Sequence, residues 1–179
     1  MAGVTTDRSI DLNADVGEGL DEADAAILPL ITSANIACGG HAGDLRTMRA
    51  TVALAVEHGV GIGAHPGYPD RQGFGRREID ISTTDLRASV LEQLQALAAV
   101  VAEAGARITH VKPHGLLYNR AAADPVLARL LAEVVSRWDP GVVLVGLAGS
   151  HSLVAGREVG LIVVAEGFAD RAYEPDGSL

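Results

Sequence analysis

The sequence predicts an α/β fold built on a parallel sheet. Three observations carry that reading. Short apolar or alternating runs recur along the 179 residues, each followed by a stretch with helical spacing. Turn residues separate them at short intervals, with no linker, repeat or low-complexity tract between. The reactive side chains cluster where the strand-like runs end. Strands alternating with helices pack as a parallel sheet, either an open doubly wound sheet or a barrel. One domain over 1–179 is expected.

The first run, Ile10 to Gly19, alternates. Asp11, Asn13 and Asp15 share one parity, and Ile10, Leu12 and Ala14 share the other. On a strand these rows face opposite ways, so an acid and amide row is expected toward a lumen and an apolar row away from it. Asp15 and Glu18 would lie at the mouth, with Asp11 deeper and structural. A short helical segment, Asp21 to Leu30, follows. Ile31–Gly39 reads as the second strand and runs into the glycine turn Gly39-Gly40-His41-Ala42-Gly43-Asp44. Asp44 is placed to cap a helix to Glu57, whose apolar face is Met48, Val52 and Val56.

Val60–His65 is the third strand. The long loop after it, 66–77, is rich in aromatic, Gly and Arg residues, a composition that suits a functional loop. Thr84–Ala104 has the clearest helical stripe, with Thr84 as the expected cap. Ile108–His114 is the fourth strand, with His110, Lys112 and His114 on one face. Asp124-Pro125 opens a helix to Trp138, the Asp as cap and the Pro at the first helical position. Val142–Gly149, a short helix over Ser150–Arg157, and Leu161–Gly167 complete the pattern.

Composition narrows the function. Hydrophobic residues at 48% and charged residues at 21% argue against disorder. A net charge of −9 disfavours nucleic acid or an anionic membrane as partner. Cys38 is the single cysteine, so no intrachain disulfide can form. Met1 to Arg8 lacks the apolar core of a signal peptide, and the apolar runs near 97–102 and 142–148 are too short to span a bilayer. A soluble cytoplasmic protein is expected.

Asp15 and Glu18, His41 and Asp44, His65 and Asp70, Lys112 and His114, His151, and Glu166, Asp170 and Arg171 all follow the carboxyl ends of predicted strands. Parallel α/β folds build their sites on that edge. Four of the six histidines belong to this set, and His58 and His110 do not. Singly, each residue has a bland reading: His41 as a turn histidine, Arg76 and Arg77 as surface charges, Tyr68, Tyr118 and Tyr173 as packing, Cys38 as a buried hydrophobe. Their joint placement favours an enzyme site. A phosphate-binding P-loop, a dinucleotide fingerprint and a G-x-S-x-G elbow are all missing from the sequence. Carboxylate, histidine and lysine chemistry remains.

Four segments are distinctive: Asn13-Ala14-Asp15-Val16-Gly17-Glu18; Ala34 through Asp44; Gly63-Ala64-His65-Pro66-Gly67-Tyr68-Pro69-Asp70 with Phe74-Gly75-Arg76-Arg77; and Val111-Lys112-Pro113-His114-Gly115-Leu116-Leu117-Tyr118-Asn119. With Glu166 to Tyr173, they resemble the LamB/YcsF family, the A subunits of 5-oxoprolinase. The resemblance implies a (β/α) barrel-like fold related to polysaccharide deacetylases. It implies ATP-dependent opening of 5-oxoproline to L-glutamate together with subunits B and C. Members of the family usually continue through a further strand and helix. A barrel lacking that last unit, from a truncated chain, is therefore expected here.

For that reaction Asp15 or Glu18 is assigned as base, with Lys112 and His114 as electrophile and acid. Arg76, Arg77 or Arg171 would clamp the substrate anion. Asn13, Asn35, His41, His65 and Asp170 complete the expected substrate contacts, with ATP as co-substrate. A second reading is a metal-dependent deacetylase or amidohydrolase with a divalent ion on Asp15, His41, His65 and His114. A third is a non-catalytic subunit that binds substrate or partner.

Overall fold

The computed structural model describes residues 10–19, 21–175 and 177. The readings of Met1–Arg8, and of Asp176 within the final turn, lie outside the described residues.

Six strands form one sheet in chain order: β1 (Asn13–Val16), β2 (Ser33–Ala37), β3 (Gly61–His65), β4 (Ile108–Val111), β5 (Val143–Leu147) and β6 (Ile162–Glu166). Every neighbouring pair is parallel. The helices between them are α1 (Asp21–Ile27), α2 (Leu45–Glu57), α3 (Thr83–Glu103), α4 (Gly115–Ala123), α5 (Pro125–Trp138) and α6 (His151–Glu158). The sheet curls into a half-barrel. Its curvature brings the side chains of the first and last strands together: Asn13 Nδ2 donates to Glu166 Oε2 across 3.4 Å. Among the described residues, β1 and β6 each pair on one side only.

Local sequence accounts for most of the boundaries. Asp44 caps α2 in a reciprocal box with Thr47: its carboxylate accepts the Thr47 amide at 2.8 Å, and Thr47 Oγ1 accepts the Asp44 amide at 2.7 Å. Asp124 caps α5 through the amides of Val126 and Leu127, with Pro125 opening the helix. The cap of α3 is Ser82, which accepts from the Asp85 amide, so the helix starts one residue before the expected Thr84. The nine-residue helix α4 went unread in the sequence. Gly115, at a φ of 53°, turns the chain directly from the end of β4 into it.

The core lies between the sheet and the helices; Leu94, Leu97 and Val101 of α3 and Ile36 and Ala64 of the strands belong to one buried apolar cluster. Burying a side chain such as Leu97 contributes about 1.5–3 kcal/mol. Of the apolar row expected on the first strand only Ala14 packs against the core; Ile10 is 87% exposed and Leu12 55%. The strand begins only at Asn13, and the backbone of Leu12 serves instead to bond Thr32 and Ser33. The lumen face is polar and made roomy by small residues. A Cβ on Gly63 would meet the His110 ring at 2.0 Å.

Candidate active site

All the strands except β5 deliver reactive residues to the same edge. Asp15 is the last but one residue of β1, and Gly17, at a φ of 75°, turns the chain so that Glu18 follows. The Gly17 amide donates to Asp24 at 2.8 Å, which fixes this turn against α1. β2 leads into the glycine turn that carries His41. Arg71 pins that turn by donating to the carbonyls of Gly39 and Gly43, at 3.0 and 2.6 Å. β3 ends in His65. β4 leads to Lys112 and then to His114, the residue that precedes α4. β6 ends in Glu166, with Phe168 and Arg171 beyond it.

Two interlocked groups result. In the first, the Lys112 ammonium reaches Asn13 Oδ1 at 3.1 Å, Asp15 Oδ1 at 3.3 Å and Glu166 Oε2 at 3.1 Å. The amide oxygen accepts a hydrogen bond from the ammonium, and the two carboxylates balance its charge. Asn35, fully buried, donates to both Asn13 Oδ1 (2.7 Å) and Asp15 Oδ1 (2.9 Å). Its own carbonyl oxygen faces His110 Nε2 at 2.9 Å. In the second group, His41 Nε2 lies 2.9 Å from Glu18 Oε1, and His65 Nε2 lies 3.0 Å from His114 Nδ1. The rings of His41 and His114 stack with centroids 3.6 Å apart. Asp15 joins the groups, its Oδ2 being 3.3 Å from His65 Nε2.

Burial opposes ionisation of Asp15, but His65, Lys112 and the Asn35 amide outweigh it and hold the carboxyl well below the usual range. The carboxylate is therefore present at any working pH. Glu18 is lowered in the same way: burial opposes ionisation, and the His41 bond and surrounding imidazoles prevail. Burial, with neighbouring His65 and His41, pushes His114 down to about 3. His41 is lowered mainly by burial. Burial also raises the Tyr118 phenol, with the Glu166 charge adding to the shift.

A cavity of about 220 Å³ opens over both groups. It is lined by Asp15, His65, Lys112 and His114 at its floor and by Arg76, Tyr118, Asn119, Phe168 and Arg171 around it. Asp15 keeps 36% of its side chain exposed to this space, whereas Lys112 keeps 5%. Arg171 stacks on Phe168, 4.5 Å from guanidinium carbon to ring centroid, and Arg76 lies over Phe74 at 5.5 Å.

The other expected residues are placed differently. Arg77 is committed to a bidentate pair with Asp70, at 3.0 and 2.5 Å, and does not line the cavity. Asp170 is paired with Arg171. Glu18 and His41 sit beneath the cavity lining, and Asn13 and Asn35 lie deeper in the lumen. Asp44 is an exposed helix cap, and His151 is exposed at the start of α6, away from the cavity lining. His110, set aside in the sequence, supports the site from the layer below through Asn35. Among the described residues, the donors that converge closely enough for one ion are Glu18, His41, His65 and His114, all within 4.8 Å of one another, so Glu18 takes the place expected for Asp15. Tyr118 and Phe168 went unread as site residues. Tyr118 lies in the first turn of α4, and reading a helix that starts directly after His114 would have placed it beside the mouth.

The model of the LamB/YcsF family matches residues 10–179. The chain belongs to the LamB/YcsF family. It is similar to the lactam utilization protein from Thermus thermophilus, at 45% identity and a TM-score of 0.89, over 96% of this chain and 71% of that one. It also resembles the carboxyl transferase domain of Rhizobium etli pyruvate carboxylase, at 14% identity and a TM-score of 0.52, over 86% of this chain and 26% of that one. The second likeness is one of fold alone. No helix among the described residues is long and apolar enough to cross a membrane.

Proposed function

We propose that this LamB/YcsF chain is the A subunit of an ATP-dependent 5-oxoprolinase, which opens the lactam of 5-oxo-L-proline to L-glutamate with subunits B and C. The observation that carries the reading is the pairing of an accessible carboxylate with a buried ammonium at one cavity floor, 3.3 Å apart, beneath two guanidinium groups. A cavity of about 220 Å³ suits a small cyclic amide, and the rim charges suit its carboxylate. The similarity to a lactam utilization protein supports the same substrate class.

In this reading Asp15 takes a proton from the attacking water. Lys112 is oriented to stabilise negative charge on the former carbonyl oxygen. The ring C–N bond then breaks and its nitrogen accepts a proton from a donor of the cavity lining, among which are Tyr118 and Lys112. Arg76 and Arg171 hold the carboxylate. Before water attacks, ATP transfers its γ-phosphoryl group to the amide oxygen and leaves as ADP; ring opening then gives an acyl phosphate, from which a second water releases phosphate to form L-glutamate, and the reaction takes place in the cytoplasm. A second reading, a metal-assisted amide hydrolase, is favoured by the Glu18–His41–His65–His114 cluster; there a bound divalent ion would polarise the carbonyl or activate water.

The test is ATP-dependent glutamate release from 5-oxoproline with subunits B and C present. Asp15→Ala and Lys112→Ala should each abolish it. Full activity in either variant, or full activity of B and C without this chain, would overturn the assignment.

A further inference from the structure

His65 Nδ1 lies 2.7 Å from the carbonyl oxygen of Lys112, and His114 Nε2 lies 2.9 Å from that of Phe74. A carbonyl oxygen only accepts, so in each case the ring nitrogen carries the proton. In neutral rings this leaves His65 Nε2 and His114 Nδ1 bare. Those two lone pairs face each other across 3.0 Å. Glu18 Oε1 stands 3.3 Å from the same His114 nitrogen and 2.9 Å from His41 Nε2. Several electron-rich atoms thus converge on one buried point, and the pair at its centre has no proton to share.

We propose that Glu18 Oε1, His41 Nε2, His65 Nε2 and His114 Nδ1 bind one divalent transition-metal ion of the zinc class, with Asp15 outside its coordination. The spacing fits. A tetrahedron with bonds of about 2.0–2.1 Å has edges of about 3.3 Å, and the three separations above run from 2.9 to 3.3 Å. The two backbone carbonyls supply the outer-shell acceptors that fix the tautomer of a metal-bound histidine. Three imidazoles and one carboxylate suit zinc, cobalt or nickel better than magnesium or calcium, which take oxygen donors.

The backbone also clamps the rings. A Cβ on Gly67 would meet His41 Nδ1 at 2.8 Å, and one on Gly75 would meet His41 Cβ at 2.8 Å and His114 Cδ2 at 3.1 Å. Asp15 differs from the four donors. Its Oδ1 is engaged by Asn35 and Lys112, and only Oδ2 approaches the cluster, at 3.3 Å from His65. It stays on the cavity side, free to act as base. The inference rests on reading this cavity as a reactive centre, and it is independent of which amide is cleaved.

A proton shared between His65 and His114 would relieve the same conflict, so the experiment must separate proton from metal. Purified chain is stripped with chelator, titrated with Zn²⁺ and Co²⁺, and followed by elemental analysis, thermal shift and the visible spectrum of the cobalt form. The expected result is one ion per chain, a raised Tm and the intense visible bands of low-coordinate cobalt. Glu18→Gln and His65→Gln should weaken binding about tenfold or more, while Asp15→Asn keeps the full complement. Absence of ion uptake and of a cobalt spectrum in the unmodified chain would overturn the site without relying on any variant. Asp15→Asn losing the ion as completely as His65→Gln would overturn the ligand set. Glutamate release is not read here, so failure of the lactam assignment leaves this result standing.

Discussion

Lys112 and Glu166 meet inside the half-barrel at 3.1 Å, although one follows the fourth strand and the other ends the sixth. Both side chains are buried, at 5% and 7% exposure. Breaking a buried pair from one side leaves an uncompensated charge and costs about 3–5 kcal/mol. Glu166→Ala should therefore lower unfolding stability by about that amount. The double variant Lys112→Met/Glu166→Leu should recover part of the loss while remaining inactive. Urea unfolding of the unmodified chain and the two variants checks this, and a double variant no more stable than Glu166→Ala would show that the cost of the single change does not come from an unpaired charge.

Arg76 and Arg77 are adjacent in sequence and separate in role. Arg76 lines the cavity, while Arg77 is locked to Asp70 in the loop over 66–77. A charged hydrogen bond contributes about 1.5–3 kcal/mol. Arg76→Ala should thus raise KM for 5-oxoproline about tenfold or more, with a smaller change in kcat. Arg77→Ala should lower Tm and leave KM near its starting value. The reverse pattern in steady-state kinetics would exchange the two roles.

Gly63 is filled from the opposite strand. The His110 ring occupies the space a side chain would need, with Nε2 2.0 Å from a Cβ built there. That ring is held by Asn35 on one nitrogen and Thr109 on the other, so it has little freedom to yield. Gly63→Ala should destabilise by about 1–3 kcal/mol. It should also lower glutamate release, because displacing His110 releases Asn35 and with it the alignment of Asp15. Unchanged stability would mean that the ring shifts freely.

Burial chiefly lowers the His110 imidazole, to about 4 from the usual 6.5. The unfolded chain therefore takes up this proton first as the pH falls. The stabilisation is complete above about 6.5 and is lost as the pH drops through about 4. His110→Gln keeps a donor for Asn35 and removes the titration. Its stability should fall less steeply between pH 6.5 and 4 than that of the unmodified chain. Parallel curves in denaturation at several pH values would show that His110 does not contribute.

The order and type of the strands were readable because apolar runs and turn residues repeat in register with the fold. The convergence of Asp15, His65, Lys112 and His114 was readable for the same reason: each ends a strand, and parallel strands end on one edge. Depth was not readable. Parity alone placed Asp11, Asn13 and Asp15 on one face without saying that only Asp15 reaches the cavity. Nothing local separated Arg76 from Arg77, because the partner that holds Arg77, Asp70, comes from within the same loop. The role of Glu18 depends on a single turn at Gly17, which directs it toward His41. His110 lay one layer below the edge that the sequence argument followed, and its importance came from Asn35, 75 residues away.

Each strand pairs with the one made just before it, from β1 through β6. During translation, successive units can thus be added to a growing edge without waiting for distant partners. Lys112 breaks that pattern. Its ammonium is in place once the fourth unit has folded, but one of its two carboxylates arrives only with the sixth. A nascent chain that stops short of Glu166 would hold Lys112 against Asp15 alone, so the reactive centre gains its second carboxylate only at the last step of assembly.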